Sequence, residues 1–258
     1  MTAEFPDNPC LVATFGDWHS DAVYAEQMVD LAAQHHADFL LHVGDFGIGF
    51  SRDFIDRLHT VLEETGLSLG FVDGNHEDFV NLYSIPVDDD GIRRVTDRIF
   101  HLPRGFRWQW WESIWMAMGG AHSINSHLLT PGYDWWSEET ITWAQAENAI
   151  AGGHADVMVT HDVPDNVLGE KGGGIWPEYQ INASNEHHLV LGQIVDEVRP
   201  SWLFHGHMHH FHETVRPLPE GGDTKVIGLD CNGKSWRKNM VLFDPLLMET
   251  RPLKEVVV

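Results

Sequence analysis

The sequence predicts an α/β fold in which two β-sheets pack face to face with helices on their outer faces. Short apolar runs alternate with amphipathic stretches over the first third of the chain, which is typical of parallel strands joined by helices. A second series of apolar runs begins near residue 99 and supplies the other sheet. The length of 258 residues suits one large domain, and no repeat or low-complexity linker divides it. Residues 1–258 are therefore predicted to form a single domain.

The first third contains three predicted strands and two predicted helices. Apolar residues recur at helical spacing over residues 21–36, where Ser20 is the predicted N-cap, and again over residues 54–64. The alternation of strand and helix predicts parallel pairing of the strands. These strands are predicted over residues 11–15, 39–43 and 67–72.

The middle of the chain is aromatic and predicts a meander of short strands over residues 99–102, 106–111 and 114–118. We assign a Trp-rich insertion to residues 103–138, because its last part, 121–138, is a long loop of a kind that is usually functional or mobile. Its tryptophans offer faces for stacking of a base, but filling the core and a subunit interface is the favoured interpretation. They are Trp108, Trp110, Trp111, Trp115, Trp135 and Trp136.

The last part of the chain again alternates between helix and strand. A Gly-rich loop at residues 169–174 separates the two predicted helices, which span 139–150 and 184–198. The predicted strands span 156–160, 202–204, 226–229 and 240–243.

The chain is strongly acidic, with 39 Asp and Glu residues against 16 Lys and Arg residues and a formal net charge of -23. This charge disfavours nucleic acid and anionic membranes as general partners. A local basic patch is conceivable, although relief of acidic repulsion is the favoured role of its arginines. Bound metal ions would let an acidic protein receive an anionic substrate. The arginines that are close enough in sequence are Arg93, Arg94, Arg98, Arg104 and Arg107.

The first residues lack the basic start and apolar run of a secretory signal, and no apolar run reaches the length of a membrane span. We therefore expect a cytoplasmic protein with no membrane partner. The two cysteines, Cys10 and Cys231, are too few for a disulfide framework, and both are predicted to be buried small hydrophobes.

Polar residues follow five of the predicted strands at the point where each strand ends. Ligands collect at the carboxyl ends of strands in α/β sheets, so these segments are expected to converge. Residues two apart point the same way in an extended chain, so each His or Asp pair can reach one centre. Glycines before Asp45, Asn75 and His207 permit a tight backbone there. The segments read Asp17-Trp18-His19, Gly44-Asp45, Gly74-Asn75-His76-Glu77, His161-Asp162 and Gly206-His207-Met208-His209.

The donors in these segments are carboxylates, imidazoles and an amide, without a thiolate. This set favours Mn, Fe, Zn, Co or Ni over a structural zinc centre. The donors outnumber what one ion accommodates, which predicts two divalent metal ions that share a bridging carboxylate. Each segment alone is a weak signal, whereas all five in order, each after a predicted strand, form a specific pattern.

These five segments, in this order, resemble the calcineurin-like metallophosphoesterase family, whose pattern is Asp-x-His, Gly-Asp, Gly-Asn-His-(Asp or Glu), His and Gly-His-x-His. The resemblance runs from Asp17 to His209. It implies a four-layer α-β-β-α sandwich with two metal ions at its sheet ends, and hydrolysis of a phosphate ester by a hydroxide that bridges them. Manganese is the first candidate for the metal.

The resemblance also implies a role for each residue. His76 would be the imidazole that faces the substrate without binding metal and acts as general acid. Glu77 and Asp162 are candidates for orienting the ligands, with solvated loop carboxylates as the alternative. The implied ligands are Asp17, His19 and His209 for the first metal, Asn75, His161 and His207 for the second, and Asp45 as the bridge.

Two arginines that grip a terminal phosphate in the family's protein phosphatases are missing. Those enzymes carry Gly-Asp-x-x-Asp-Arg-Gly and an Arg just before Gly-Asn-His-Glu. Here the first segment reads Gly44-Asp45-Phe46-Gly47-Ile48-Gly49-Phe50, and Asp73, which would repel a dianion if it faced the pocket, precedes Gly74. The sequence therefore resembles the phosphodiesterase branch, including its actinobacterial and phage members.

The expected substrate is a nucleotide or another small phosphodiester, in a pocket that His122 and Asn125 are predicted to line. A DNA nuclease of the same superfamily is an alternative that requires a basic groove from residues 93–107. A phosphomonoesterase would need another group to hold the terminal phosphate. A non-catalytic scaffold is disfavoured because every ligand position is filled, and a homodimer is compatible with the Trp content.

Overall fold

The computed structural model describes residues 5–51, 53–167 and 175–254, so the predicted Gly-rich loop at 169–174 lies outside the described residues. No helix in these three ranges has the length and apolar character needed to cross a bilayer. In chain order the elements are β1 (Val12–Phe15), α1 (Ala22–Gln34), β2 (Phe39–His42), α2 (Phe54–Thr65), β3 (Leu69–Phe71), α3 (Phe79–Ser84), β4 (Arg93–Arg94), β5 (Ile99–His101), β6 (Arg107–Trp110), β7 (Ser113–Met118), α4 (Trp143–Ala151), β8 (Val157–Thr160), α5 (Glu178–Val198), β9 (Trp202–His205), β10 (His212–Pro217), β11 (Asp223–Gly228), α6 (Trp236–Asn239), β12 (Met240–Asp244) and β13 (Glu249–Arg251).

The first sheet has seven strands in the order β13-β12-β1-β2-β3-β5-β4. Its strands β1, β2, β3 and β5 are parallel, which confirms the pairing predicted from the alternation of strands and helices. β12 pairs antiparallel with β1, so the end of the chain returns to the middle of this sheet.

The second sheet has six strands in the order β10-β11-β9-β8-β7-β6. Its central strands are parallel, and β6 and β10 pair antiparallel at its two edges. The predicted meander is wrong, because β5 belongs to the first sheet whereas β6 and β7 form a hairpin in the second. The turn at residues 103–105 carries the chain from one sheet to the other.

Three apolar clusters fill the three interfaces between four layers. Leu40 and Phe71 face α1 and α2 on the outside of the first sheet. Phe39, one residue before Leu40, faces the second sheet, so β2 is buried on both sides, as expected for a parallel strand. A third cluster joins the second sheet to α4 and α5. The predicted α/β fold, a four-layer α-β-β-α sandwich, is confirmed.

The predicted role of the tryptophans in packing holds for most of the Trp-rich insertion. Trp108, Trp110 and Trp115 lie between the sheets, where Trp115 meets Phe243 at 5.7 Å between ring centroids. Trp136 packs in the cluster outside the first sheet. These four rings are buried and therefore present no face to a nucleotide base.

Four local predictions are wrong, one of them the start of α5, which begins at Glu178 rather than at residue 184. Asp21 rather than Ser20 caps α1, because the Asp21 side chain accepts the Tyr24 N–H and Ser20 Oγ donates to Gly47 O instead. α4 begins at Trp143 rather than at residue 139, since Thr142 and Gln145 form a capping box there. Cys10 is exposed at the start of β1, whereas Cys231 is buried as predicted.

Candidate metal centre

The ends of five strands from both sheets meet at one edge of the sandwich. Asp17, Asp45 and Asn75 follow strands of the first sheet, and His161 and His207 follow strands of the second. Their ligand atoms form two groups, each with one atom per residue within 4.8 Å of the others. The groups are Asp17, His19, Asp45 and His209, here called site one, and Asp45, His161 and His207, here called site two. Asp45 belongs to both.

Most of these ligands leave the strands through left-handed turns. His19, Asp45, His207 and His209 have φ angles of 48°, 51°, 61° and 49°. The prediction that the His and Asp pairs lie on extended chain is therefore wrong, although the convergence it argued for is observed. Such a backbone costs roughly 1–3 kcal/mol per residue and persists only where its surroundings impose it. Here Asp45 O accepts the His19 N–H at 2.9 Å, and Asp17 Oδ2 accepts the His207 N–H at 3.0 Å.

Two glycines are needed because another ligand occupies the space of their side chain. A Cβ at Gly74 would lie 2.2 Å from Asp45 Oδ1. A Cβ at Gly206 would lie 2.0 Å from Asp17 Oδ1. Real Cβ atoms do not approach that closely, so any other residue would push these carboxylates out of place.

Site two is arranged around His161, which is fully buried like Asp45, whereas His207 is half-buried. Its Nδ1–H donates to Val43 O at 2.8 Å, which leaves Nε2 facing Asp45 Oδ1 at 3.1 Å and Asn75 Oδ1 at 3.1 Å. A neutral Nε2 lone pair facing two oxygen acceptors is stable only with a cation between them. A proton serves here: burial opposes it, but the charge and hydrogen bond of Asp45, together with the Asp17 charge and the bond to Val43 O, outweigh burial and raise the pKa of His161 to about 10. The same three atoms fit a divalent metal ion, with the backbone carbonyl fixing the tautomer.

Site one is more open. His209 Nε2 lies 3.1 Å from Asp17 Oδ2, and 44% of the His209 side chain is exposed. His19 Nε2 lies 3.3 Å from Asp45 Oδ2. Burial lowers the pKa of His19, but the hydrogen bond to Asp45 and the charges of Asp45 and Asp17 outweigh it and raise that pKa to about 9. The hydrogen bond to Asp17 raises the pKa of His209 to about 10.

Glu77 and Asp162, the two candidates for orienting the ligands, are both fully buried and fully engaged. Glu77 accepts the backbone N–H groups of Phe46, Gly47, Ile48 and Gly74 at 2.8 to 3.3 Å, so it fixes the turn that carries Asp45. Asp162 faces His187 Nδ1 at 2.6 Å and His188 Nε2 at 3.1 Å. The His187-His188 pair thereby ties α5 to the turn that carries His161.

Sequence reasoning missed two residues that contact the candidate ligands, Ser123 and Asn232, and a third, Glu139, that supports Ser123. Ser123 and Glu139 lie in or beside the insertion, where Ser123 Oγ accepts from Asn75 Nδ2 at 3.0 Å and donates to Glu139 Oε2 at 2.6 Å. Asn232 Oδ1 accepts from His19 Nδ1 at 2.9 Å. A signal existed for Asn232, since Asp230-Cys231-Asn232 is a polar segment after a predicted strand. No local signal marks Ser123 or Glu139.

The three residues predicted to face the substrate have different surroundings. His76 is half-buried at site one, and its ring centroid lies 5.6 Å from that of His19. His122 Nε2 lies 2.7 Å from Gln180 Oε1, so this ring is engaged by α5. Asn125 is half-buried, and its carbonyl accepts the Leu128 N–H in a short 3₁₀ turn. Within the described ranges, no side-chain contact joins Asn125 to the ligand groups.

The arginines near residue 100 are engaged within the protein. Arg104 is buried and pairs with Asp73 at 2.6 Å, so the Asp73 charge is compensated rather than turned toward a substrate. Arg94 pairs with Asp88 and Asp90, and Arg107 donates to the carbonyls of residues 149, 153 and 154. Arg93 and Arg98 donate to the carbonyls of residues 85 and 67.

A family model described as calcineurin-like phosphoesterase matches residues 11–211 of this chain. The structure is similar to that of a dimetal phosphatase from Danio rerio, with a TM-score of 0.57 and 10% identity over 92% of this chain and 93% of that one. It is also similar to TT1561 of Thermus thermophilus, with a TM-score of 0.54 and 10% identity over 95% and 98% of the two chains. At such low identity these likenesses show the fold alone. No curated protein sequence matches this chain significantly.

Proposed function

Because the chain belongs to the calcineurin-like phosphoesterase family, we propose that it is a phosphodiesterase that uses two divalent metal ions, manganese first among them, to hydrolyse a nucleotide or another small phosphodiester. Membership of the family makes the protein a phosphoric ester hydrolase. The observation that carries the metal requirement is that two groups of ligand atoms share the single carboxylate of Asp45.

The donor chemistry of the chain fits two such ions. In site two, His161 Nε2 faces two oxygen acceptors that only a cation reconciles, and site one adds two carboxylates and two imidazoles. Bound divalent ions would supply a water of lowered pKa as nucleophile and positive charge for the phosphoryl oxygens. Asn75 would serve site two through Oδ1, which lies 3.1 Å from His161 Nε2.

His76 is placed to handle the proton of the leaving group. Its backbone N–H donates to Asp45 Oδ1 at 2.8 Å, which fixes the main chain beside the bridging carboxylate. Its ring is half-buried beside His19, where it can reach a substrate without being a ligand in either group. We propose that it donates a proton to the departing oxygen.

The engagement of Arg104 supports the preference for a diester. All of its donor nitrogens point to Asp73, Gln145 or the carbonyls of residues 138, 139 and 140. Releasing it to bind a terminal phosphate would leave the buried Asp73 carboxylate with only His101 Nε2, at 3.2 Å, and the loss of a buried ion-pair partner typically costs several kcal/mol. A diester carries one negative charge fewer than a terminal phosphate and has less need of an arginine.

The nuclease alternative is weaker for a related reason. It depends on a basic groove built from residues 93–107, and those guanidinium groups bind Asp residues or backbone carbonyls. The net charge of -23 further opposes approach of a DNA backbone.

The test compares catalytic efficiency on a chromogenic phosphodiester and on its monoester analogue, after metal removal and restoration of Mn²⁺. We expect a ratio well above one, activity that is lost on chelation, and a loss of at least about a hundredfold in Asp45→Ala. Asp89→Ala, which removes an exposed carboxylate far from the ligands in sequence, is the matched control. A ratio well below one, or unchanged activity of Asp45→Ala, would refute the proposal.

A further inference from the structure

The orientation of the Asn75 amide decides whether site two has a second oxygen ligand beside Asp45. An asparagine presents an oxygen at one end and an NH₂ group at the other, and only the oxygen can bind a cation. Asn75 is buried, so water does not select between the two orientations. Another side chain must do so.

Ser123 and Glu139 form a hydrogen-bond chain with a fixed direction. Both oxygens of the Glu139 carboxylate accept from Ser123: Oε1 from its backbone N–H at 2.9 Å and Oε2 from its hydroxyl at 2.6 Å. The single hydroxyl proton of Ser123 is thereby committed to Glu139. Ser123 Oγ can then only accept, and its partner at 3.0 Å must be the NH₂ group of Asn75.

Ser123 and Glu139, which form this hydrogen-bond chain, are themselves held in place. Ser123 and Glu139 are at most 2% exposed, so each bond is shielded from water. Arg104 donates to the Glu139 carbonyl and pairs with Asp73, two residues before Asn75. The insertion and the turn after β3 are therefore fastened to each other through one guanidinium group.

We propose that Ser123 and Glu139 are positioning residues for the second metal ion, because together they hold the Asn75 amide with Oδ1 toward His161 and Asp45. The inference rests on the proposed two-metal function. The inference gives the insertion a role other than stacking a base, since the insertion supplies Ser123, the residue that contacts the Asn75 amide.

Ser123→Ala removes the acceptor of the Asn75 NH₂ group and frees the amide to turn. We expect titration of the metal-free protein with Mn²⁺ to show the second ion bound roughly 10- to 100-fold more weakly and the first unchanged. Activity should return in excess Mn²⁺. Ser137→Ala, an exposed serine of the same insertion, should leave both affinities within about twofold of the native values.

Glu139→Gln is a near-isosteric second variant, which guards against misfolding of the first. Both Glu139 oxygens accept hydrogen bonds from Ser123, so a glutamine must point its NH₂ group at either the backbone N–H or the hydroxyl of Ser123. In the first case two donors face each other. In the second case the Ser123 hydroxyl turns its proton toward Asn75, which favours the flipped Asn75 amide. The second ion should again be weakened selectively. Second-ion affinity within twofold of native in both variants, or equal weakening of both ions, would overturn the inference. Native protein that binds fewer than two ions would instead refute the proposed function.

Discussion

The two sites of the candidate metal centre are built from similar donors but differ in burial and in the hydrogen bonds that support them. In site one, His19 donates to Asn232, whose Nδ2 donates to Asp21 at 3.2 Å, and both His19 and His209 are partly exposed. In site two, Asn75 donates to Ser123, which donates to Glu139, and all three are buried. Each of these two hydrogen-bond chains ends on a carboxylate. The chain fixes the His19 imidazole in site one and the Asn75 amide in site two.

The difference in burial predicts that loss of a ligand residue has different consequences in the two sites. A buried ligand set is held by the core of the fold, so removing a member disturbs the fold as well as the ion. An exposed set depends on a few surface hydrogen bonds, and its loss affects the ion alone. Site two therefore resembles part of the core, and site one resembles a surface site built at the edge of the core.

The largest expected contrast is between His161→Ala and His209→Ala. Removing His161, which is fully buried, leaves Val43 O without its donor and takes a buried cationic partner from Asp45 and Asp17, which then keep only His19 and His209. We expect the metal-free protein to lose about 3–5 kcal/mol in free energy of unfolding. Removing the half-exposed His209 should cost under about 1 kcal/mol. Denaturant unfolding without metal measures both, and equal losses would contradict the contrast.

The second contrast is in proton release. Metal ligands must be neutral imidazoles, so an ion displaces a proton from any histidine whose pKa lies above the pH. In site one the pKa values of His19 and His209 are raised to about 9 and about 10. In site two that of His161 is raised to about 10, whereas burial lowers that of His207 to about 4.

Between about pH 5 and pH 8, the site-one ion should therefore displace about two protons and the site-two ion about one. Affinity falls as pH falls, by roughly a hundredfold per pH unit at site one and roughly tenfold at site two. Calorimetric titration with Mn²⁺ in His161→Ala and in His209→Ala isolates the two sites. The same slope in both variants would show that the sites do not differ in this way.

The strand ends and the candidate ligand residues could be predicted from the sequence because four of the five segments carry an apolar run, then a glycine, then a donor, and the fifth, at His161, lacks only the glycine. The backbone conformation of these residues could not be predicted from the sequence, since the left-handed φ of His19 and His209 is imposed by hydrogen bonds from distant turns. The contribution of Ser123 and Glu139 to the site could not be predicted from the sequence for the same reason. Ser123 meets Asn75, and Glu139 meets Ser123, across the junction at which Arg104 bonds both Asp73 and the Glu139 carbonyl.

The smallest expected effect is that of Asn232→Ala, which tests the surface support of site one. Asn232 lies outside residues 11–211 and is partly exposed, so water can take its place beside His19 Nδ1. We expect the first ion to bind more weakly by less than about tenfold, with the second ion and the free energy of unfolding nearly unchanged. Mn²⁺ titration and denaturant unfolding check this against Asn182→Ala, an exposed asparagine on α5. If the first ion lost as much affinity as the second ion loses in Ser123→Ala, partial exposure of Asn232 would not reduce the contribution of its hydrogen bond. The two sites would then depend equally on their hydrogen-bond chains.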